Sequence, residues 1–154
     1  MIPSSKIKEL IASGDIAITP FNEKMLKLGS YSFTLGNKLK RLTSVPFIDS
    51  RVPEQQFEEF EISPDGYVIQ PGEFIICHTA ETLTLSTDVG CFLSMRGAKA
   101  QLGLDFLHNE IFCEPGSTGG WGGRLMLETT NRGPYPIKIF PGITCIKAIF
   151  IATR

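Results

Sequence analysis

Glu128 is the residue of this sequence whose setting best suits proton transfer. It lies in the segment Arg124 to Thr130, where strand alternation puts it on one face with Arg124, Met126 and Thr130, opposite Leu125 and Leu127. A carboxylate placed there and partly buried has a raised pKa, which lets it take a proton from water and return one to a leaving group. A solvated strand glutamate is the alternative that the segment alone leaves open. Arg96 offers a fixed positive charge to an anionic ligand, with a plain surface arginine as its alternative. His108-Asn109-Glu110 fits the H-x-E half of a zinc signature, but no P-C-x-x-C follows and Cys113 is the only thiol nearby. Zinc is therefore not expected, and His108 is read as loop-borne. No Walker-type or dinucleotide-binding glycine pattern occurs.

The elements that position these residues read as mostly β. Ser4 or Ser5 can cap a short helix with Ile7, Leu10 and Ile11 on one face, stopped by Gly14. From Ile16 onward apolar residues come in short runs punctuated by Gly, Pro, Asn or Asp. Tyr31 to Leu35 alternates and turns at Gly36-Asn37 before a polar stretch from Lys38 to Arg41. Pro46 to Glu61 is acidic, aperiodic and loop-like. Further strands are expected at Tyr67 to Ile69, Phe74 to Cys77, Leu83 to Leu85, Cys91 to Met95, Arg124 to Thr130, Ile137 to Phe140 and Cys145 to Ile151. Many short strands of this kind make a sandwich or barrel.

Composition agrees with one domain over residues 1–154, since 42% hydrophobic residues suffice for a core without disulfides or metals. Lys plus Arg number 15 against 16 Asp plus Glu, so broad attraction to nucleic acid or an anionic membrane is not expected. Cys77, Cys91, Cys113 and Cys145 lie far apart in sequence and read as reduced core thiols. With no signal-like or membrane-length apolar run, a soluble cytoplasmic protein is expected.

Five motifs, in order, carry a family resemblance. Ser30-Tyr31-Ser32-Phe33-Thr34-Leu35-Gly36-Asn37 resembles S-Y-D-x-x-L-G-N, and Pro71-Gly72-Glu73-Phe74 with Thr79-Ala80-Glu81 resembles P-G-E-F…T-x-E. Arg96 to Leu104 stands for R-S-S-x-x-R-x-G-L, Trp121 to Asn131 for W-x-G-x-x-x-L-E-x-x-N, and Pro141-Gly142-Ile143 to Phe150 for P-G-M-x-I…F. These are motifs of the dCTP deaminase and dUTPase family, which the chain resembles from about Ile2 to Phe150. The resemblance implies a distorted jelly-roll-like β-barrel with a short N-terminal helix, assembled as a homotrimer with active sites between subunits. It also implies a pyrimidine deoxynucleotide as ligand, with Mg2+ carried on the nucleotide phosphates. Glu128 matches the family's metal-independent general acid/base, Arg96 an active-site arginine, and Glu114 in Cys113-Glu114-Pro115-Gly116 the aspartate of I-D-P-G that contacts the sugar and helps activate water in dUTP hydrolysis.

Several positions depart from the pattern. Gly97 and Ala98 replace the two serines, Gln101 the second arginine, Ser32 the aspartate of S-Y-D, and Lys147 a frequent glutamine of the last strand. One lost hydrogen bond to a charged partner is worth about 1.5–3 kcal/mol, so phosphate binding is expected to weaken unless Lys99, Arg124 or Lys147 compensates. Asn109 and Trp121 complete the candidate nucleotide contacts. Ser117-Thr118-Gly119-Gly120 is an extra segment, readable as an anion-binding turn or as a longer surface turn. The chain ends at Arg154, before the family's segment that closes over the triphosphate, so a lid is expected to come from elsewhere. Deamination of a deoxycytidine nucleotide is the leading expectation. A dUTP diphosphatase using Glu114 and a non-catalytic regulatory trimer are the alternatives.

Overall fold

The longest stretch with helical spacing opens the chain. In the computed structural model, which describes residues 1–52, 56–108 and 110–153, helix α1 spans Ser4–Ser13. It buries Ile7 completely and packs Leu10 and Ile11 against the core. Pro3, not Ser4 or Ser5, occupies the N-cap, and left-handed Gly14 the C-cap. The described strands are β1 Ile16–Thr19, β2 Tyr31–Thr34, β3 Lys38–Leu42, β4 Phe57–Glu61, β5 Tyr67–Ile69, β6 Phe74–Leu85, β7 Val89–Met95, β8 Leu104–Asp105, β9 Phe112–Cys113, β10 Arg124–Asn131, β11 Ile137–Ile139 and β12 Thr144–Ala152. A short helix, α2 Gly97–Ala100, follows β7.

Two antiparallel sheets enclose the core. One runs β4-β3-β6-β10-β8, with β1 also paired to β6, and the other runs β2-β12-β7-β9; β11 and β5 pair separately. Alternation decides which side chains turn inward. On β10 Leu125, Leu127, Thr129 and Asn131 are buried while Arg124, Met126, Glu128 and Thr130 are half-buried on the other face. Tyr31, Phe33, Ile75, Leu127, Ile146 and Phe150 meet between the sheets, each large apolar side chain contributing roughly 1.5–3 kcal/mol by burial.

Two departures from the sequence reading have one cause: polar residues that find partners only in the sheet. The polar stretch Lys38 to Arg41 and the end of the acidic segment form β3 and β4, with Lys38 opposite Glu61, Lys40 opposite Glu59 and Arg41 opposite Glu58. Opposite charges across a ladder favour the pairing, and charges on edge strand β4 discourage further strand addition. Phe74 to Cys77 and Leu83 to Leu85 are one strand, because the intervening polar groups are buried and bonded. The His78 ring Nε2 accepts from Lys38 N at 3.2 Å, Thr79 Oγ1 donates to Glu81 O at 2.7 Å, and Glu81 accepts from Thr34 N at 2.9 Å and Thr34 Oγ1 at 2.8 Å.

Gly36 is demanded by close approach. Its N–H donates to His78 O at 2.7 Å, and a Cβ there would lie 2.0 Å from His78 Cε1. The buried ring is fixed by its own hydrogen bonds and cannot withdraw cheaply. Gly36→Ala is therefore expected to destabilise the fold by about 1–3 kcal/mol, the usual cost of overpacking, measured as a lowered denaturation midpoint. An unchanged midpoint would contradict this packing.

Candidate active site

Glu128 stands opposite Ile76 in the β10–β6 ladder and lines a cavity of about 310 Å³. Leu93, Glu110, Phe112, Cys113, Glu114 and Gly120 also line this cavity. Glu128 Oε2 is buried without a hydrogen-bond partner among the described residues. Burial raises its carboxyl pKa above the ordinary value, opposed by its own backbone N–H, while Glu110 adds to the rise and His108 lowers it. Such a carboxylate has an acceptor free to meet a ligand or water. A larger groove of about 690 Å³ lies beside α1 and Leu26 to Ser30, but Glu23 there is bonded to Lys8 at 2.5 Å, which holds its carboxyl below the ordinary value. Unlike the groove beside α1, the smaller cavity thus carries a buried proton-transfer group with an unspent acceptor.

The Gly-rich segment forms part of the wall. Leu85 N donates to Ser117 O at 2.9 Å, Gly119 N to Leu83 O at 3.2 Å and Gly123 N to Gly119 O at 3.1 Å, so these N–H groups belong to the sheet's own bonding. Trp121 and Arg124 exchange backbone bonds at 3.1 and 3.0 Å around Gly122 and Gly123, whose φ values of 59° and 85° make the tight turn that needs positive φ twice. Thr118, Gly119 and Gly120 remain at the cavity edge. The segment is a hairpin laid along β6, which is why it lengthens the turn while keeping β10 in place.

Arg96 caps α2 and turns its Nη1 to Ser32 Oγ, to which it donates at 3.2 Å. Lys147 on β12 stands directly opposite Ser32 and Ser94 on the face turned from the core. Among the described residues no carboxylate lies within ion-pair distance of Arg96 or Lys147. Serine in place of the motif aspartate leaves that guanidinium uncompensated, so the sheet carries two cations available to an anion. Lys99 is half-buried on α2 and Gln101 is exposed at its end.

The remaining candidates are dispersed. Glu114 is exposed at the Glu128 cavity. Trp121 meets the His78 ring at a tilt of 52° with ring centroids 4.7 Å apart and holds the Lys40 ammonium 4.3 Å from its centroid. Arg124 lines a different cavity with His78, Asn37 and Pro141. Asn109 lies outside the described residues. His108 has its Nδ1 3.3 Å from Arg132 Nη2 and its ring against Phe74, and no group of three or more His, Cys, Asp or Glu suited to a metal occurs among the described residues. Sequence spacing offers Glu110 only as half of a zinc signature, whereas it faces the cavity and acts on Glu128 through its charge. Leu93 and Phe112 reach the same wall from other strands and carry no sequence signal.

Other motif residues are occupied by the fold. Asn131, fully buried, donates from Nδ2 to Ile69 O at 3.0 Å and Tyr135 O at 2.7 Å and accepts from Gly133 N at 2.9 Å. Glu73 accepts from Tyr67 Oη and, at 2.8 Å, from Gln70 N. Saturated groups of this kind hold turns and strands, while Glu128 and Arg96 keep unspent capacity.

The mostly β fold is that of solved dCTP deaminases and dUTPases. The 2'-deoxycytidine 5'-triphosphate deaminase of Agrobacterium tumefaciens superposes with a TM-score of 0.75 at 19% identity, over 97% of this chain and 47% of that one, so this chain spans about half its length. The dUTPase of Streptococcus mutans superposes with a TM-score of 0.56 at 10% identity, over 90% of this chain and 95% of that one. A family model described as dCTP deaminase-like matches residues 1–153, and the chain belongs to that family. Curated relatives named dCTP deaminase, dUMP-forming include those of Hydrogenobaculum sp., 31% identical over 97% of this chain and 81% of the relative, and Methanopyrus kandleri, 31% identical over 94% and 77%. Among the described residues no helix is long and apolar enough to cross a membrane.

Proposed function

We propose that this chain is a deoxycytidine nucleotide deaminase in which Glu128 moves the protons. The observation that carries the reading is the half-buried Glu128 carboxylate, its Oε2 unpartnered and its pKa raised, on the wall of a cavity. Water attacks C4 of the cytosine while Glu128 takes one of its protons and passes it to ring N3; Glu128 then carries the remaining hydroxyl proton to the amine, the C4–N bond breaks, and uracil and ammonia result. A cavity of about 310 Å³ lies at the low end for ligand sites and suits the base and sugar, leaving the phosphates to groups outside it. Glu114 at the same wall is assigned to the sugar, and to water activation where dUMP is formed, as the name of the curated relatives suggests for them. Mg2+ enters with the nucleotide phosphates.

The phosphate groups are assigned to Arg96 and Lys147. No hydrogen bond or ion pair joins Arg96 to Glu128 within the described chain, and Arg96 stands at the start of α2 whereas Glu128 stands on β10. A homotrimer that sets Arg96 of one subunit against Glu128 of the next supplies both. The test mixes Glu128→Gln and Arg96→Ala subunits after unfolding and refolding together. Random assembly in a cyclic trimer restores about a quarter of wild-type sites if the residues come from neighbouring subunits. Restoration of no activity would contradict the shared site.

A further inference from the structure

The four cysteines, far apart in sequence, do not stay apart in space. Cys91 on β7 stands directly opposite Cys113 on β9. The neighbouring pair is hydrogen-bonded, Leu93 N donating to Ile111 O at 2.8 Å, so by alternation Cys91 and Cys113 form the next such pair, with Cα atoms about 5.5 Å apart. That spacing falls within the range a disulfide spans. Directly opposed residues share a face, and here the two differ in access. Cys91 is fully buried beside Phe150, whereas Cys113 is half-buried and lines the Glu128 cavity.

We propose that Cys113 and Cys91 form a hydroperoxide-sensitive dithiol that closes to a disulfide on the wall of the Glu128 cavity. A peroxide entering the cavity meets Cys113 first. The Cys113 thiolate attacks one peroxide oxygen, the O–O bond breaks, and Cys113 becomes a sulfenic acid as water or an alcohol leaves. The Cys91 sulfur then attacks the Cys113 sulfur, the S–O bond breaks, and the Cys91 proton departs with the hydroxyl as a second water. Two thiols are oxidised and one peroxide is reduced. The order of events agrees with the thiols' environments: a thiol–thiol hydrogen bond lowers the Cys113 pKa and raises that of Cys91, which burial raises further. Cys77 and Cys145 are unsuited to the role, being fully buried, with burial pushing Cys77 up to about 12 and Cys145 higher.

The bridge ties β9, and with it Glu114, to β7. The chemistry stands independently of the deaminase reading, because its readout is covalent. The folded full chain is treated with a modest excess of hydrogen peroxide, alkylated, digested without reduction and mapped by mass spectrometry. Free thiols should fall from four to two, with one cross-link joining the Cys91 and Cys113 peptides, and a thiol reductant should restore all four. In Cys91→Ser the sulfenic acid on Cys113 should persist and be trapped by a dimedone probe. If that variant does not fold, the wild-type map decides alone. Absence of the cross-link after peroxide, or consumption of Cys77 and Cys145 as fast as Cys113, would overturn the proposal.

Discussion

Glu128→Gln is expected to lower the rate of ammonia release from dCTP by about 10²–10⁴-fold, the usual contribution of a positioned acid/base group. The amide keeps the volume and polarity of the side chain in the cavity, so nucleotide binding measured by calorimetry should persist. The wild-type rate should rise with pH through the raised pKa of Glu128, because the carboxylate is the form that accepts the proton from water. That acidic limb should stand above 4.5, the ordinary glutamate value, and disappear in the variant. Stability follows the opposite sign. A folded-state pKa raised above the unfolded one favours the fold most fully below about 4.5, and the increment is lost as pH rises through the folded value. Glu128→Gln should therefore be as stable as wild type at neutral pH or more so, which separates lost chemistry from lost fold. Wild-type ammonia release by the variant would remove Glu128 from the mechanism. Glu114→Gln is the control and should affect sugar positioning or pyrophosphate release more than it affects ammonia.

Arg96→Ala should reduce kcat/KM for dCTP about ten- to a hundredfold, the equivalent of one charge-assisted hydrogen bond. Among the described residues the Arg96 side chain donates only to Ser32 Oγ, so its removal strands no buried charge and the denaturation midpoint should hold. Arg96→Lys should recover part of the loss, since a point charge replaces a planar fork of donors. With Gln101 where the family has its second arginine, preference for dCTP over dCMP should stay below about a thousandfold. Unchanged kinetics in Arg96→Ala would place the phosphates elsewhere.

Much of this molecule is legible in its sequence because alternation and turn residues act locally. The face of β10 that carries Glu128 follows from Leu125 and Leu127, and the tight turn before it follows from Gly122 and Gly123. β3 and β4 are hidden because their pairing rests on cross-strand charges, which have meaning only once the register is known. His78, Thr79 and Glu81 hide the middle of β6 by looking solvent-exposed while being buried on specific partners. The motifs divide in the same way. Gly36, Glu73, Glu81 and Asn131 mark the family through bonds and contacts that the fold itself consumes, whereas Glu128 and Arg96 retain capacity for a ligand. Sequence similarity cannot separate these two classes, since both are needed for a working member of the family. The cavity wall made by Leu93, Phe112 and Cys113 is beyond sequence reasoning because it is assembled from two separate stretches of chain, β7 and β9.

The central claim is that water adds to C4 of a cytosine nucleotide under the control of Glu128. Its most direct test is turnover of dCTP by the wild-type chain in water enriched in heavy oxygen, with the products resolved by mass spectrometry. One heavy oxygen is expected in the base of the product, released together with ammonia, and none above background with Glu128→Gln. Product labelled only on phosphate, or recovery of unconverted dCTP under conditions where the nucleotide is bound, would contradict it.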